Sequence, residues 1–339
     1  MVKKTTKKAA NAETISPTIT PEQASETNPS GVENTKIETK KEPVSLNDIL
    51  MKFISSLKDD PEEGAAKHRD NLIKAYLNEG INKYSISSKY NILFLYDKST
   101  MIKSDADHIY SAAAAFKEKK PILLILYSTG GQISSAYLIG KLCQEYAKDE
   151  FVIVVPRQAK SAATLLCCAA DQIHMGSFSE LGPIDPQINE MPALGLKSSI
   201  EHIAGLVDAH PQSSDMFAKY LSLSIRPIDL GYFERVAESA AQYAERLLKN
   251  HQDKLSQPPS KIAAHLVYFY KDHGFVVDKT EAKEIFGDNI IKTNTEEYNL
   301  GNDIYERFQM LSYFANIMNH SFYFIGSVDS SPHFQKQNK

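Results

Sequence analysis

Hydrophobic positions along the chain follow two different spacings, and together they predict a sheet covered by helices. Short continuous apolar runs predict buried strands at 90–97, 121–128, 151–156 and 172–176. Between these runs, apolar residues recur every three or four positions and predict helices at 106–118, 132–148 and 161–170. Continuous apolar strands that alternate with helices are typical of a parallel sheet with both faces buried.

The segments that flank this core have other patterns. Residues 1–43 contain no aromatic side chain and are rich in Lys, Thr, Glu, Ser, Asn and Pro, so they bury too little apolar surface to offset their chain entropy. Helical spacing dominates beyond residue 196. We therefore expect four regions: a disordered tail at 1–43, a core with N-terminal helices at 44–210, a helical C-terminal region at 211–330 and a frayed tail at 331–339.

Composition and charge argue against several classes of protein. The net charge of −4 provides no general basic field for nucleic acid. The apolar runs, such as PILLILY at 121–127, have strand length and are too short to cross a membrane. The three cysteines, two of them adjacent, suit a reducing compartment better than a disulfide framework or a zinc site. We expect a cytoplasmic protein without membrane insertion or nucleic-acid binding, and with no cofactor or metal.

Two strand-to-helix turns carry candidate chemistry. In YSTGGQISSAYLIG, Gly130 and Gly131 follow a strand and allow close backbone approach or a positive φ. In KSAATLL, Ser161 stands where the next helix begins, a common position for a helix cap, and the N–H of Ala162 follows it. Both turns are expected at the carboxyl edge of one parallel sheet, where ligands bind in open α/β folds. A serine beside exposed N–H groups is the arrangement used in acyl transfer.

A third element, SELGPIDPQ, places Asp185 in a turn rich in glycine and proline. Together, STGG, KSAATLL and MGSFSELGPIDPQ resemble the serine-dehydrogenase-proteinase (SDH-type) family of ClpP-like serine peptidases, which is related to signal peptide peptidase A. The resemblance covers roughly residues 90–210. It implies an α/β, ClpP/crotonase-like fold with repeated β-β-α and βα units, followed here by a helical C-terminal extension.

The resemblance also implies roles for individual residues. Ser161 is implied to be the nucleophile, and the N–H groups of Gly130 or Gly131, with Ala162, are implied to form the oxyanion hole. The predicted function is a serine peptidase that hydrolyses a peptide or protein substrate through an acyl-enzyme. The alternatives are a catalytically inactive ClpP-like scaffold or binding protein and a crotonase-type acyl-CoA enzyme. Because relatives of this fold form rings or other oligomers, the resemblance further implies a homo-oligomer.

The sequence leaves the general base open. Clp subunits have a histidine at about the interval after the serine that leads here to Asp185, so Asp185 is taken as a residue that orients the base. Relatives of signal peptide peptidase A use a lysine on a later helix, for which Lys197 is the first candidate and Lys219 the second. His273, in YKDHGFVVD, is the alternative, in a Ser-His-Asp triad. Lys160 adjoins the serine and receives less weight, because sequence neighbours seldom face each other at a helix start.

Apolar residues also recur with helical spacing in the C-terminal region. Tyr232, Val236 and Tyr243 belong to one such stretch, LGYFERVAESAAQYAERLL. We interpret them as core or subunit contacts.

Overall fold

The computed structural model describes residues 45–57, 64–188, 191–224 and 226–337, and the tail predicted at 1–43 lies outside them. The strands are β1 (Asn91–Asp97), β2 (Ile122–Ser128), β3 (Phe151–Val155), β4 (Gln158–Ala159), β5 (Gln172–Met175), β6 (Glu180–Leu181), β7 (Gln187–Ile188), β8 (Met191–Pro192), β9 (Ile291–Lys292), β10 (His320–Gly326) and β11 (His333–Lys336). Of these, β7 and β8 form a separate antiparallel pair.

Helices supply most of the remaining described structure. The α-helices are α1 (Leu46–Ser56), α2 (Ala65–Asn82), α3 (Lys103–Ala114), α4 (Ile133–Tyr146), α5 (Ala162–Cys167), α6 (Ala193–Ala209), α7 (Ser214–Ser224), α8 (Pro227–Leu248), α9 (Pro259–Tyr268), α10 (Lys279–Phe286) and α11 (Glu296–Ile317). Three short 3-10 helices are Ser85–Lys89, Pro211–Ser213 and Lys249–Lys254. Within the described residues, every helix is too short or too polar to span a lipid bilayer.

The main sheet is parallel at its centre. Its continuous order is β11-β10-β1-β2-β3-β5-β9. Strands β1, β2, β3, β5 and β9 run parallel, whereas β10 is antiparallel to β1 and β11 is antiparallel to β10. The short strand β4 pairs with the end of β2 and with β6. Strand, short strand and helix therefore follow one another from β3 through β4 to α5, as a β-β-α unit of the predicted fold does.

Alternate residues of the central strands face two helical layers. Leu93 and Leu124 belong to the core that includes residues of α3, α4 and α5. Phe94 and Ile125 belong to the core that includes residues of α1, α2 and α11. Because side chains alternate across a strand and both faces are covered, the strands read as continuous apolar runs. Each fully buried Leu, Ile or Phe side chain contributes about 1.5–3 kcal/mol, so these two layers stabilise the sheet that carries the site.

The C-terminal region is part of the same sheet, which corrects the expected boundary at residue 210. β9 and β10 join the sheet on opposite sides, and β10 pairs with the central strand β1. The prediction of a frayed tail at 331–339 was wrong for His333–Lys336, which form β11. Phe334 packs edge-to-face against Phe53 of α1, with ring centroids 4.8 Å apart. This aromatic contact anchors the strand.

Candidate active site

The two predicted turns meet at the carboxyl edge of the sheet. β2 ends at Ser128 and leads through Gly130 and Gly131 into α4, and β3 leads through β4 to Ser161 before α5. The N–H of Lys160 donates to Ser128 O across 3.0 Å, so the backbone before the serine lies beside the glycine turn. A Cβ added at Gly130 would lie 2.9 Å from Ser161 Cβ. The structure therefore brings the glycine turn and the serine into direct contact.

Ser161 has a strained backbone conformation, with φ 52° and ψ −118°. A positive φ is uncommon for a residue with a side chain, costs on the order of 1–3 kcal/mol, and occurs preferentially at functional sites. Ser161 occupies the N-cap position of α5, but its hydroxyl accepts no capping hydrogen bond. The hydroxyl is thus not engaged by the helix that it precedes. A sharp strand-to-helix turn of this kind exposes the nucleophile in α/β-hydrolases.

The glycine turn depends on two positive φ angles, 106° at Gly130 and 147° at Gly131. The Met101 N–H donates to Gly130 O at 2.8 Å, and the Gln132 N–H donates to Met101 O at 2.9 Å. A Cβ added at Gly131 would lie 2.3 Å from Met101 N. Close approach to the backbone after β1 therefore requires glycine here, as the sequence predicts.

Two backbone N–H groups near the serine have no acceptor among the described residues. The Gly130 N–H donates to Ser128 Oγ at 3.1 Å, so this member of the predicted oxyanion hole is already engaged. In the described chain, the N–H groups of Gly131 and Ala162 donate to no other protein group. Ala162 N would lie 3.1 Å from a Cβ at Gly130, so the Ala162 N–H lies where the two turns touch.

His273 and Asp185 lie next to each other. His273 Nδ1 is 3.8 Å from Asp185 Oδ2, an oxygen that also accepts a 3.0 Å hydrogen bond from Gln187 Nε2. Among the described residues, neither His273 Nδ1 nor Asp185 Oδ1 has a hydrogen-bond partner, although both atoms are buried. Buried polar atoms are nearly always paired. The 3.8 Å separation exceeds a hydrogen bond, and catalytic hydrogen bonds commonly tighten only when substrate is bound.

The turn that carries His273 is attached to the residue before the serine. Lys160 Nζ donates to Phe275 O and to Leu181 O, each across 3.2 Å. The same ammonium pairs with Glu180 at 3.3 Å, and the Lys160 side chain is only 15% exposed. The donors of Lys160 are thus directed to three acceptors on neighbouring loops.

The predicted lysine bases lie elsewhere. Lys197, in α6, has a side chain that is 58% exposed and pairs with Glu234 of α8 at 3.7 Å. Lys219, in α7, is exposed. Neither lysine is among the described residues that line the cavity beside Ser161, whereas His273 is. The structure thus brings His273, of the candidate bases, to the serine's cavity.

A cavity of about 1150 Å³ extends from the serine to α8. The described residues that α8 contributes to its lining are Ile228, Gly231, Tyr232, Arg235, Val236, Ser239 and Tyr243. Three of them, Tyr232, Val236 and Tyr243, were interpreted from the sequence as core or subunit contacts. A sequence signal for the cavity exists in the small and polar residues Gly231, Arg235 and Ser239, which recur every four positions along α8.

The segment that carries the serine has known relatives. Residues 94–210 match the family described as ClpP-like SDH-type serine proteinase. The match covers about a third of the chain. It contains the glycine turn, Ser161 and Asp185, and it ends before His273. The resemblance inferred from STGG, KSAATLL and SELGPIDPQ, and the ClpP-like α/β fold, are confirmed.

Two curated proteins match part of the chain. Both are uncharacterized proteins of Methanocaldococcus jannaschii, one 37% identical over 97 residues and the other 33% identical over 92. The matches cover 29% and 27% of this chain, and 34% and 31% of the relatives, so the chain matches about a third of their length.

Two solved structures of a membrane-bound stomatin-specific protease are also similar, each at 13% identity. A serine-to-alanine mutant has a TM-score of 0.38, covering 66% of this chain and 86% of that chain. A lysine-to-alanine mutant in complex with a substrate peptide has a TM-score of 0.37, covering 74% and 89%.

Other reactive groups of the SDH-type segment are buried. Its cysteines are free, and burial raises the pKa of the Cys143 and Cys168 thiols. His174 of β5 is 2.7 Å from Thr295 Oγ1 through Nδ1, and burial lowers its pKa to about 4. These groups are therefore neutral near pH 7. Among the described residues, no three His, Cys, Asp or Glu side chains form a group that could hold a metal ion.

Proposed function

We propose that the chain is a serine peptidase that cleaves peptide bonds through an acyl-enzyme on Ser161. The observation that carries this proposal is the strained turn at Ser161, φ 52°, within an SDH-type serine-proteinase segment. The turn places the serine on a cavity and beside two N–H groups that have no acceptor in the described part of the chain. Backbone strain of this kind persists only where the surrounding structure enforces it, which favours a role in chemistry.

In the first half of the reaction, Ser161 Oγ attacks the carbonyl carbon of the scissile peptide bond. His273 Nε2 accepts the hydroxyl proton as the new C–O bond forms. The same nitrogen then donates that proton to the leaving amine as the C–N bond breaks. In the second half, His273 deprotonates a water that attacks the ester, and the proton returns to Ser161 when its oxygen leaves.

The two unengaged N–H groups supply the oxyanion hole in this proposal. Those of Gly131 and Ala162 would donate to the carbonyl oxygen as it gains negative charge. The Gly130 N–H donates to Ser128 Oγ and is therefore not assigned to the oxyanion hole. The role of Gly130 is to let the turn lie close to Ser161. Fixed donors of this type are each worth about 10²–10³-fold in rate.

His273 is the base in this proposal because it lines the cavity with Ser161 and faces a carboxylate. Asp185 Oδ2, on the Nδ1 side of the ring, would stabilise the imidazolium and keep Nε2 directed to the serine. A lysine base must be neutral, which requires burial. Lys197, exposed and beside Glu234, has the opposite environment.

Covalent labelling with a fluorophosphonate tests the proposed function. The reagent bonds to an activated serine oxygen and releases fluoride, so wild type is expected to take up one label at Ser161 and Ser161→Ala none. Ser134→Ala is the matched control, because Ser134 also lines the cavity; it should label as wild type does. Label uptake is measured by intact-protein and peptide mass spectrometry.

Absence of label on folded wild type, or equal labelling of Ser161→Ala, would contradict the peptidase. Either result would favour a scaffold without an activated serine or a crotonase-type enzyme, which uses an oxyanion hole but no serine nucleophile. Binding of acyl-CoA, measured by calorimetry, then separates these two.

We propose a peptide or protein substrate, a cytoplasmic location and self-association as further parts of this function. Three free, buried cysteines support a reducing compartment. Exposed apolar side chains on α7, among them Met216, Tyr220 and Leu223, support contact with another copy. Light scattering of the purified chain is the measurement for the last point.

A further inference from the structure

The charge distribution around the cavity is uneven. Among the described residues of its lining, Arg235 carries the permanent charge, and His273 is the other residue that can become positively charged. The remaining described lining consists of neutral residues such as Thr129, Gln132 and Tyr243. A single positive charge in a neutral groove attracts a negatively charged group.

Arg235 lies on the side of α8 that lines the cavity, and its neighbour Glu234 is paired with another residue. Arg235 lies on the face that lines the cavity, one turn after Gly231 and one turn before Ser239. Glu234 pairs with Lys197 instead. Burial and the charges of Glu238 and Glu234 raise the pKa of Tyr268 in α9, so both carboxylates lie near that tyrosine. Of the two, Glu234 has an ion-pair partner other than Arg235.

Arg235 has unused binding capacity. It is exposed and, among the described residues, forms no ion pair or hydrogen bond with another side chain. A guanidinium presents its N–H donors in a planar fork that matches a carboxylate with two parallel hydrogen bonds. The cavity, at about 1150 Å³, exceeds the usual range for a drug-sized ligand and can admit a peptide segment.

We propose that Arg235 binds a carboxylate of the peptide whose scissile bond lies at Ser161. This inference rests on the proposed function and names its substrate class: peptides with a negative charge within reach of α8. An acidic side chain and a free C-terminus present the same group, and the experiment separates them.

Protection of Ser161 from fluorophosphonate labelling by tetrapeptides tests this site. One pair of peptides differs only in Glu against Gln, and a second pair differs only in a C-terminal carboxylate against an amide. In wild type, the charged member of at least one pair is expected to protect at about tenfold lower concentration than its neutral partner. In Arg235→Met, the two members are expected to protect equally. Arg246→Met, which changes an exposed arginine of α8 outside the described lining, should keep the wild-type preference.

The outcomes are distinct. A preference in the first pair assigns the carboxylate to a side chain, and one in the second assigns it to the C-terminus. Labelling of Ser161 without a preference in either pair, including the case in which no peptide protects, overturns the inference but leaves the peptidase intact. A preference that survives in Arg235→Met also overturns it. If Ser161 takes up no label at all, the proposed function fails and the inference fails with it.

A separate set of contacts concerns Lys160. Its ammonium bridges Glu180, Leu181 O and Phe275 O, and Phe275 is two residues from His273. A pair of backbone hydrogen bonds between Leu181 and Val277, of 2.9 and 3.1 Å, holds the other side of the same turn. The backbone of Lys160 directly precedes the serine. The Lys160 side chain thus connects the turn that carries His273 to the turn that carries Ser161.

We infer that Lys160 is a positioning residue that sets the distance between His273 and Ser161. Displacement by 1 Å at such a site costs about 10²-fold in rate. Lys160→Met is expected to slow fluorophosphonate labelling about 10- to 100-fold. Lys160→Arg keeps the charge and donors, and should recover the rate to within about fivefold.

A positioning role can be told from a purely structural one by whether the slowing caused by Lys160→Met requires His273. In a His273→Ala background, Lys160→Met is expected to change the labelling rate by no more than about twofold, because the base that it positions is absent. An equal slowing in both backgrounds, or no rescue by Lys160→Arg, would contradict the inference. Unfolding in urea, measured for each variant, identifies any loss of rate that comes from loss of fold.

Discussion

Replacement of His273 with alanine is expected to slow fluorophosphonate labelling of Ser161 by about 10³- to 10⁴-fold, because the proposed acceptor of the hydroxyl proton is then absent. The second-order rate constant of labelling is the measured quantity, so no substrate need be known. His273 is 35% exposed and its Nδ1 has no hydrogen-bond partner among the described residues, so the change should cost little stability. Urea unfolding of the variant checks that point.

Lys197→Ala is the matched comparison, since Lys197 is the lysine predicted from the sequence as a base. Its side chain is exposed and paired with Glu234, so the variant should label within about twofold of wild type. Asp185→Asn, like His273→Ala, should lower the labelling rate constant, by about 10²-fold or more. A large loss in Lys197→Ala with a small one in His273→Ala would place the base on α6 and reject the triad.

Gly131→Ala is expected to remove both stability and reactivity. A Cβ at this position would overlap Met101 N at 2.3 Å and Met101 Cα at 2.8 Å, and the φ of 147° is unfavourable for alanine. Because the obstacle is backbone, the turn itself must shift. We expect the free energy of unfolding to fall by about 2–4 kcal/mol. Labelling of Ser161 should slow by about 10²-fold or more as the Gly131 N–H moves out of place.

Gly205→Ala makes the same chemical change where nothing obstructs it. Gly205 lies within α6, and a Cβ added there meets no atom within 4 Å. Alanine is the better helix former, so this variant should unfold with a free energy unchanged or raised by up to about 1 kcal/mol. Its labelling rate should equal that of wild type. A Gly131→Ala protein as stable and reactive as Gly205→Ala would show that the glycine turn is not required.

The strands β1, β2, β3 and β5 could be predicted from the sequence to within one or two residues. Their residues are mostly buried on both faces, and in β2 and β3 this burial leaves a continuous apolar run. The glycine turn and Ser161 could be found because their signals are local: two glycines after a strand, and a serine at the start of the next helix. Tight turns of this kind are specified by the residues within them.

The remaining parts depend on tertiary contacts that have no local signal. β10 carries SFYFIG directly after the long helix α11, and its role becomes defined only by pairing with β1. HFQK of β11 is polar and forms a strand because β10 offers a partner. The comparison between Lys197 and His273 likewise depends on which of them shares a cavity with Ser161. Periodicity places both on plausible elements but gives no distance between elements.

Because β1 pairs with β10, a strand near the C-terminus, the sheet is completed only late in synthesis of the chain. During translation, Ser161 leaves the ribosome 112 residues before His273, and β10 emerges later still. At roughly 5–20 residues per second, the nascent chain spends on the order of 6–20 s with its nucleophile but without its proposed base. The central strand β1 meanwhile lacks its neighbour on one side. On the proposed mechanism, Ser161 therefore has no base to activate it until His273 has been synthesised.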